Sequence, residues 1–233
     1  MPVPTAITNR IRAFIDDRLP RGIRDSPLFM YPLFWVWFKG KHVRTCMDFK
    51  RIAPALTSSE LRDIYRRVES FADGRATDTH PEALAHVIDA IDHNATSLLD
   101  VGCGRGFFLR RLQEHFEGIR LTGCDFSERK QDVGRAAYVS CDAEALPFAD
   151  RSFDVVTCFH TLEHTRRLDV AIAELRRVCR KQLIVVVPRQ KYFFYTLDLH
   201  LQFFPDPAAL ENAMRMGAAV RQFGSDLVYI ATV

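Results

Sequence analysis

The 233-residue chain lacks several things that would place it quickly. Its six cysteines, Cys46, Cys103, Cys124, Cys141, Cys158 and Cys179, form no C-x-x-C pair and no cluster, which removes a zinc ribbon and a disulfide scaffold. Cys103, Cys124, Cys141 and Cys158 fall at or near the ends of expected strands, where a cysteine serves as a small buried hydrophobe. Free thiols of this kind fit a reducing compartment, and the expected location is cytoplasmic. The start has no continuous apolar core and no small-residue cleavage site, so no secretory signal is expected. Neither internal repeats nor low-complexity segments occur. Charge of one sign is scarce as well: the net of +3 makes no case for nucleic acid. Residues 1–75 are mildly basic, with 14 Lys+Arg against 8 Asp+Glu, leaving 18 against 21 for the rest. With 48% hydrophobic and 26% charged residues, the chain has the composition of a soluble globular protein, one sizeable domain with an extension.

What is present centres on residues 98–112, LLDVGCGRGFFLRRL, where the hydrophobic period changes halfway. Ser97–Val101 is a short apolar run ending in glycines, which suits a buried strand; from Arg105 onward Phe108, Leu109 and Leu112 recur at helical spacing. The join is a strand, a glycine turn and a helix. Gly102, Gly104 and Gly106 leave the main chain open to a ligand. The helix start adds free N–H groups and the positive end of its dipole. A dinucleotide fingerprint needs its third glycine where Phe107 stands, and no P-loop lysine follows.

From Ser97 strands and helices alternate, the pattern of a mostly parallel sheet covered on both faces. The strands are expected at 97–101, 120–124, 138–141, 153–159 and 183–187, with helices at 169–179 and 207–216. Two extended runs, 219–223 and 227–233, close the chain as a hairpin. Asp125 follows the second strand about 20 residues past the glycine turn, where an acid accepts hydrogen bonds from ribose hydroxyls; alone it would serve NAD equally well.

The string Leu-Leu-Asp-Val-Gly-Cys-Gly-Arg-Gly, followed by Gly-Cys-Asp-Phe-Ser at 123–127, Cys-Asp-Ala-Glu-Ala-Leu-Pro-Phe at 141–148 and Ser-Phe-Asp-Val-Val at 152–156, resembles the class I S-adenosylmethionine (SAM) dependent methyltransferases, quinone O-methyltransferases among them. The likeness covers roughly residues 79–233. It implies an α/β, Rossmann-like sheet with an antiparallel last strand and SAM as cofactor. By the same likeness Asp100, Gly102, Cys103, Gly104 and Gly106 surround the methionine end, Asp125 and Phe126 the ribose and adenine, Asp142 and Ala143 the adenine edge, and Phe159 the methionine moiety. The segment Cys-Phe-His-Thr-Leu-Glu-His-Thr, 158–165, resembles the acceptor-side loop of small-molecule members, so His160 is the candidate general base, with Glu163 and His164 as its companions. His160-x-x-Glu163-His164 also matches an inverted zinc-protease pattern, which needs a long helix and a third ligand. A Mg²⁺ reading of the three residues is weakened because His160 stands where an oxygen ligand is wanted; no metal is assigned.

By the same resemblance, which puts a histidine followed by paired aromatics at the end of this loop, His200 and Phe203 of the aromatic loop 188–205 are the substrate-side candidates. The acceptor is expected to be a small molecule or lipid-linked and partly apolar, with oxygen the attacked atom. A non-catalytic SAM-fold partner protein and an NAD-dependent oxidoreductase are the alternatives.

Residues 1–78 are expected to form a helical, aromatic lid region ahead of the SAM-binding domain at 79–233. A helical piece is expected near residues 7–19. Residues 27–38, PLFMYPLFWVWF, are too short to span a bilayer, which takes about 20 residues, and basic residues follow at once. They read as a substrate lid, as an interfacial membrane contact over 27–44, or as plain packing. Thr57-Ser-Ser-Glu60 reads as a capping box. Thr79 or Asp78 is expected to cap a second helix beginning near Pro81, and the two helices are expected to roof the site.

Overall fold

The apolar runs assemble into one sheet of seven strands: β1 (Ser97–Val101), β2 (Arg120–Asp125), β3 (Ala137–Ser140), β4 (Phe153–Phe159), β5 (Cys179–Pro188), β6 (Val220–Phe223) and β7 (Asp226–Thr232). In this computed structural model residues 18–68, 76–128 and 132–233 are described; the helical piece expected near 7–19 lies almost wholly outside them. The strand order is β3-β2-β1-β4-β5-β7-β6. The first five strands run parallel, and β7 alone is antiparallel to both of its neighbours. The expected closing hairpin is β6 and β7.

All five residues of β1 are buried, which fits a central parallel strand covered on both faces. On one face the helices Leu168–Val178 and Pro207–Met214 contribute Ile172, Leu175, Leu210 and Met214 to a core with Leu99, Val156 and Val185. On the other, the helices Pro81–Ala90 and Phe107–His115 contribute Val87, Ile88, Leu109 and Leu112 against Leu98, Val155 and Ile184.

Two expectations about the Pro81–Ala90 helix need correcting. Its apolar face lies on the sheet and so belongs to the core, where the reading made it a roof. Its N-cap is His80, whose Nδ1 accepts the Glu82 N–H at 3.3 Å, and neither Thr79 nor Asp78. Strand β5 begins four residues earlier than expected because Cys179 to Gln182, polar in sequence, still pair with β4 and β7.

The amino ends of β1, β4 and β5 are tied through Asp154, which is 1% exposed. Its Oδ2 accepts from the Thr96 N–H and Oγ1, both at 2.8 Å. Its Oδ1 accepts from Arg180 Nε and Nη2 at 2.8 and 2.6 Å. Burial alone would raise this carboxyl's pKa, but these bonds outweigh it and hold the group well below the usual carboxylate range.

The chain divides into two compact units, the second made of Thr79–Gln190 and Gln202–Val233. In the first, the described residues up to Asp78 join Lys191–Leu201. It is held by its helices Arg21–Arg24, Pro27–Trp37, Val43–Met47, Phe49–Ile52 and Ser58–Arg67. The segment 191–201 belongs here for polar reasons as well as aromatic ones. Lys50 Nζ donates to the Phe194 carbonyl at 3.0 Å and to Thr196 Oγ1 at 2.7 Å, and Tyr65 donates to the Leu199 carbonyl at 3.2 Å. Phe34 meets Tyr195 edge-on with ring centroids 6.1 Å apart. The capping box is formed as expected: Thr57 Oγ1 accepts from the Glu60 N–H, and Glu60 accepts from the Thr57 N–H. Among the described residues no helix is long and apolar enough to cross a membrane.

Candidate functional site

The carboxyl ends of β1, β2 and β4 meet around the turn after β1. Gly102 takes φ +74°, and a Cβ built there would lie 1.8 Å from Thr161 Oγ1 and 2.7 Å from Thr161 Cβ. The β1 turn and the β4 loop are therefore pressed together at a point where only hydrogen fits. Thr161 is fixed in turn by donating to the Phe159 carbonyl at 2.8 Å. Two residues on, a Cβ on Gly104 would meet nothing within 4 Å. The turn thus leaves open space over its main chain, as a ligand cradle requires.

Asp125, at the end of β2, reaches back to this turn. Its Oδ2 accepts the Gly104 N–H at 2.9 Å and its Oδ1 the Ser127 N–H at 2.9 Å. One turn amide that a phosphate would need is already engaged by a carboxylate. Phe126 is half-buried beside it. After β3, Asp142 Oδ1 accepts the Glu144 N–H at 3.0 Å, and its Oδ2 lies 3.4 Å from Arg166 Nη2. Ala143, next to it, is half-buried. Cys103 is buried, and burial drives its thiol pKa well up, so it serves as packing beneath the turn. Phe159 packs on Phe108 with centroids 4.4 Å apart.

Asp100 is 2% exposed and accepts from Thr157 Oγ1 at 2.8 Å. Burial raises its pKa to about 7, the Thr157 bond opposes the rise and the nearby Asp125 charge adds to it. A carboxyl whose folded pKa lies above its ordinary value binds more protons in the folded state, so its contribution to stability falls as pH rises from about 4 through 7. Asp100→Asn is expected to raise stability at about pH 8 by roughly 1–3 kcal/mol, with the gain gone below about pH 4. Urea unfolding at the two pH values checks this; an unchanged midpoint at the higher pH contradicts it.

His160 follows β4 in the left-handed region, φ +45°, with its N–H donated to the Val186 carbonyl at 2.9 Å. Its Nδ1 lies 3.5 Å from Glu163 Oε1 and its Nε2 3.6 Å from Asp226 Oδ2, and both acids are 1% exposed. Burial opposes a charge on the imidazole, but the Asp226 and Glu163 carboxyls facing its two nitrogens outweigh it and raise the pKa to about 10. At neutral pH the ring is an imidazolium between two carboxylates. The second acid, supplied from β7, lies outside the Cys158–Thr165 segment from which the candidate base was read.

Asp226 was not a candidate in sequence, where Gly224-Ser225-Asp226 reads as an ordinary turn. Its Oδ2 also accepts the His80 N–H at 2.7 Å. Glu144 was missed as well. It accepts the Arg166 N–H at 2.7 Å, the Arg167 N–H at 3.0 Å and Arg167 Nε at 2.9 Å, so it ties the segment after β3 to the segment after the β4 loop. Its burial within a polar stretch is the only mark, and sequence alone does not show burial. Glu163 and His164 lie on the 3₁₀ turn Leu162–His164. His200 is buried in the first unit with Nδ1 4.0 Å from Asp198 Oδ2, whereas Phe203 is half-buried in the second. The structure thus brings Asp100, Gly102, Cys103, Gly104, Gly106, Asp125 and Phe159 to one edge and divides the two substrate candidates between units.

The donor set suits SAM. Open space over Gly104 admits a ligand against the main chain. Asp125 and Asp142 offer oxygens to hydroxyl and amino donors, and the carboxyls of this edge attract a ligand carrying positive charge. A pyrophosphate would meet those same acids as like charges.

Residues 99–187 match the family described as a methyltransferase domain. The chain is 39% identical over 94 residues to the ubiquinone/menaquinone biosynthesis C-methyltransferase of Paracoccus denitrificans, covering 36% of this chain and 38% of that one. It is 29% identical over 128 residues to the ubiquinone biosynthesis O-methyltransferase of Coxiella burnetii, covering 51% of each. The chain thus spans about half or less of the length of these curated relatives. Among solved structures, a SAM-dependent methyltransferase from Thermotoga maritima, described as a possible histamine N-methyltransferase, superposes with a TM-score of 0.52 at 18% identity, over 79% of this chain and 97% of that one. That likeness is one of fold.

Proposed function

We propose, because the chain carries a class I SAM-dependent methyltransferase domain, that it moves a methyl group from SAM to an oxygen of a small or lipid-linked, partly apolar acceptor. The observation that carries the reading is Asp125 seated on the Gly104 amide, which joins the ribose-side acid to the glycine turn in one cradle. Relatives in quinone biosynthesis, one naming carbon and one oxygen methylation, support the acceptor class.

When bound, SAM supplies a methyl group made electrophilic by a positively charged sulfur. Gly104 would let the main chain approach it, with Gly102 and Gly106 shaping the turn against Thr161 and Val133; Asp100 would lie toward its positive charge, Asp125 would accept from the ribose, and Asp142 and Ala143 would take the adenine edge. Much of the rate in such a displacement comes from holding donor and acceptor in line. His160, pinned by Glu163 and Asp226, positions the β4 loop for that purpose. The acceptor proton is assigned to His164, the other imidazole that follows β4, on the Leu162–His164 turn. His200 and Phe203 remain assigned to the acceptor side.

Incubating the full chain with methyl-labelled SAM and a panel of phenolic and quinol acceptors tests the reading. Label is expected in the organic extract as an ether; label on carbon would overturn the oxygen assignment, and no transfer to any acceptor would favour a non-catalytic SAM-fold partner. In a calorimetric titration Asp125→Ala is expected to weaken S-adenosylhomocysteine binding about 10–100-fold, because hydrogen bonds to a charged acceptor contribute roughly 1.5–3 kcal/mol. An unchanged dissociation constant would remove Asp125 from the ribose site.

A further inference from the structure

The helix Pro27–Trp37 is apolar on every side, yet only one side of it is covered. Met30, Phe34 and Phe38, spaced by four, are buried. On the opposite side Leu28, Tyr31, Pro32, Trp35 and Val36 fall at i, i+3, i+4, i+7 and i+8, a single helical stripe. Leu28 is 86% exposed, Tyr31 46%, Trp35 54% and Val36 55%. Pro32, which has no N–H to give the preceding turn, lies on this exposed side, where its unmade bond faces water. A contiguous apolar stripe about 12 Å long left in solvent marks an interaction surface.

Its surroundings say which kind. Residues 18–51 carry eight Lys+Arg against two Asp+Glu. Of those two acids, Asp48 is paired with Arg51 at 3.0 Å and Asp25 accepts the Phe194 N–H at 3.0 Å. Lys39, Lys41 and Arg44 follow the helix end and are exposed. The Trp35 indole lies against Gly40, with a Cβ there 3.2 Å from its Cε2, so the aromatic sits where the apolar stripe meets the basic turn. Tryptophan at such a border, with lysines beyond it, is the arrangement of a helix lying in a lipid headgroup layer. At 11 residues the helix is too short to cross a bilayer. A second copy would bring two basic flanks together, which opposes self-association through this face.

We propose that the stripe of Leu28, Tyr31, Trp35 and Val36, with Lys39, Lys41 and Arg44, is a docking surface for an anionic lipid bilayer. The proposal does not rest on methyl transfer, and its test reads lipid binding without turnover.

Both tryptophans of the chain, Trp35 and Trp37, lie on this helix, so intrinsic emission reports on it alone. Titrating the full chain with phosphatidylcholine vesicles containing phosphatidylglycerol is expected to shift the emission to the blue and to sediment the protein with lipid. Added salt should weaken the effect, and pure phosphatidylcholine should bind at least ~10-fold less. Lys39→Glu with Lys41→Glu, and separately Leu28→Ser with Tyr31→Ser and Val36→Ser, should each lower partitioning at least ~10-fold. S-adenosylhomocysteine affinity and circular dichroism should stay unchanged in both. No shift and no sedimentation, equal binding to both vesicles, or a concentration-dependent dimer that ignores vesicles would each overturn the proposal.

Discussion

Gly102→Ala is expected to destabilise the protein by about 2–4 kcal/mol and to weaken S-adenosylhomocysteine binding at least ~100-fold. Two independent effects add at this position. The left-handed φ of +74° costs a side-chain-bearing residue about 1–2 kcal/mol. The new methyl would overlap Thr161 at Cβ as well as Oγ1, so rotating the threonine does not relieve the clash, and forced repacking costs roughly 1–3 kcal/mol more. Gly104→Ala is the informative companion. Its Cβ would meet nothing within 4 Å, so only the left-handed backbone term of about 1–2 kcal/mol applies. The methyl would instead project into the space assigned to the cofactor, and affinity should fall far more than stability. Urea unfolding and calorimetric titration on both variants check the pair. Gly104→Ala with unchanged affinity would contradict the placement of the ligand over this turn.

The second large effect is expected from His160→Gln, at about 3–5 kcal/mol near pH 6. Removing the imidazolium leaves Glu163 and Asp226 buried without the cation between them. The pH dependence separates this role from that of a catalytic base. His160 has a folded pKa raised to about 10 against an ordinary 6.5, so its contribution is fully present below about 6.5 and is lost as pH rises through about 10. The difference between wild type and variant should therefore narrow across that window. Asp226→Asn removes one of the two acids and should move the window to lower pH. Equilibrium unfolding from about pH 6 to 10 gives the test; a wild-type and variant difference that stays flat over this range would remove the ion triad.

The parts of the fold legible in sequence were those set by local chemistry. The change of hydrophobic period at Arg105 placed the strand, turn and helix around Gly102, and Thr57 with Glu60 announced a capping box that the structure forms. The alternation after Ser97 gave the sheet, and the turn 224–226 gave its closing hairpin. What stayed hidden depends on residues distant in the chain. The helix Pro27–Trp37 carries no period because it is apolar all round, and its two prolines obscure it further. The partnership of His160 with Asp226 spans 66 positions and follows from β7 returning beside β5, with Asp226 in register with Pro188. The membership of Lys191–Leu201 in the first unit is likewise a product of tertiary packing. Cofactor-side candidates are written into turns at strand ends, whereas acceptor-side residues are assembled by the tertiary fold.

The central claim is that the carboxyl edge of β1, β2 and β4 binds SAM through the glycine turn and Asp125. Calorimetric titration of the full chain with S-adenosylhomocysteine addresses it directly. One site with micromolar affinity, weakened in Gly104→Ala and Asp125→Ala while both variants stay folded, is the expected result. No heat of binding in the folded wild-type protein, or equal affinity in both variants, would contradict it.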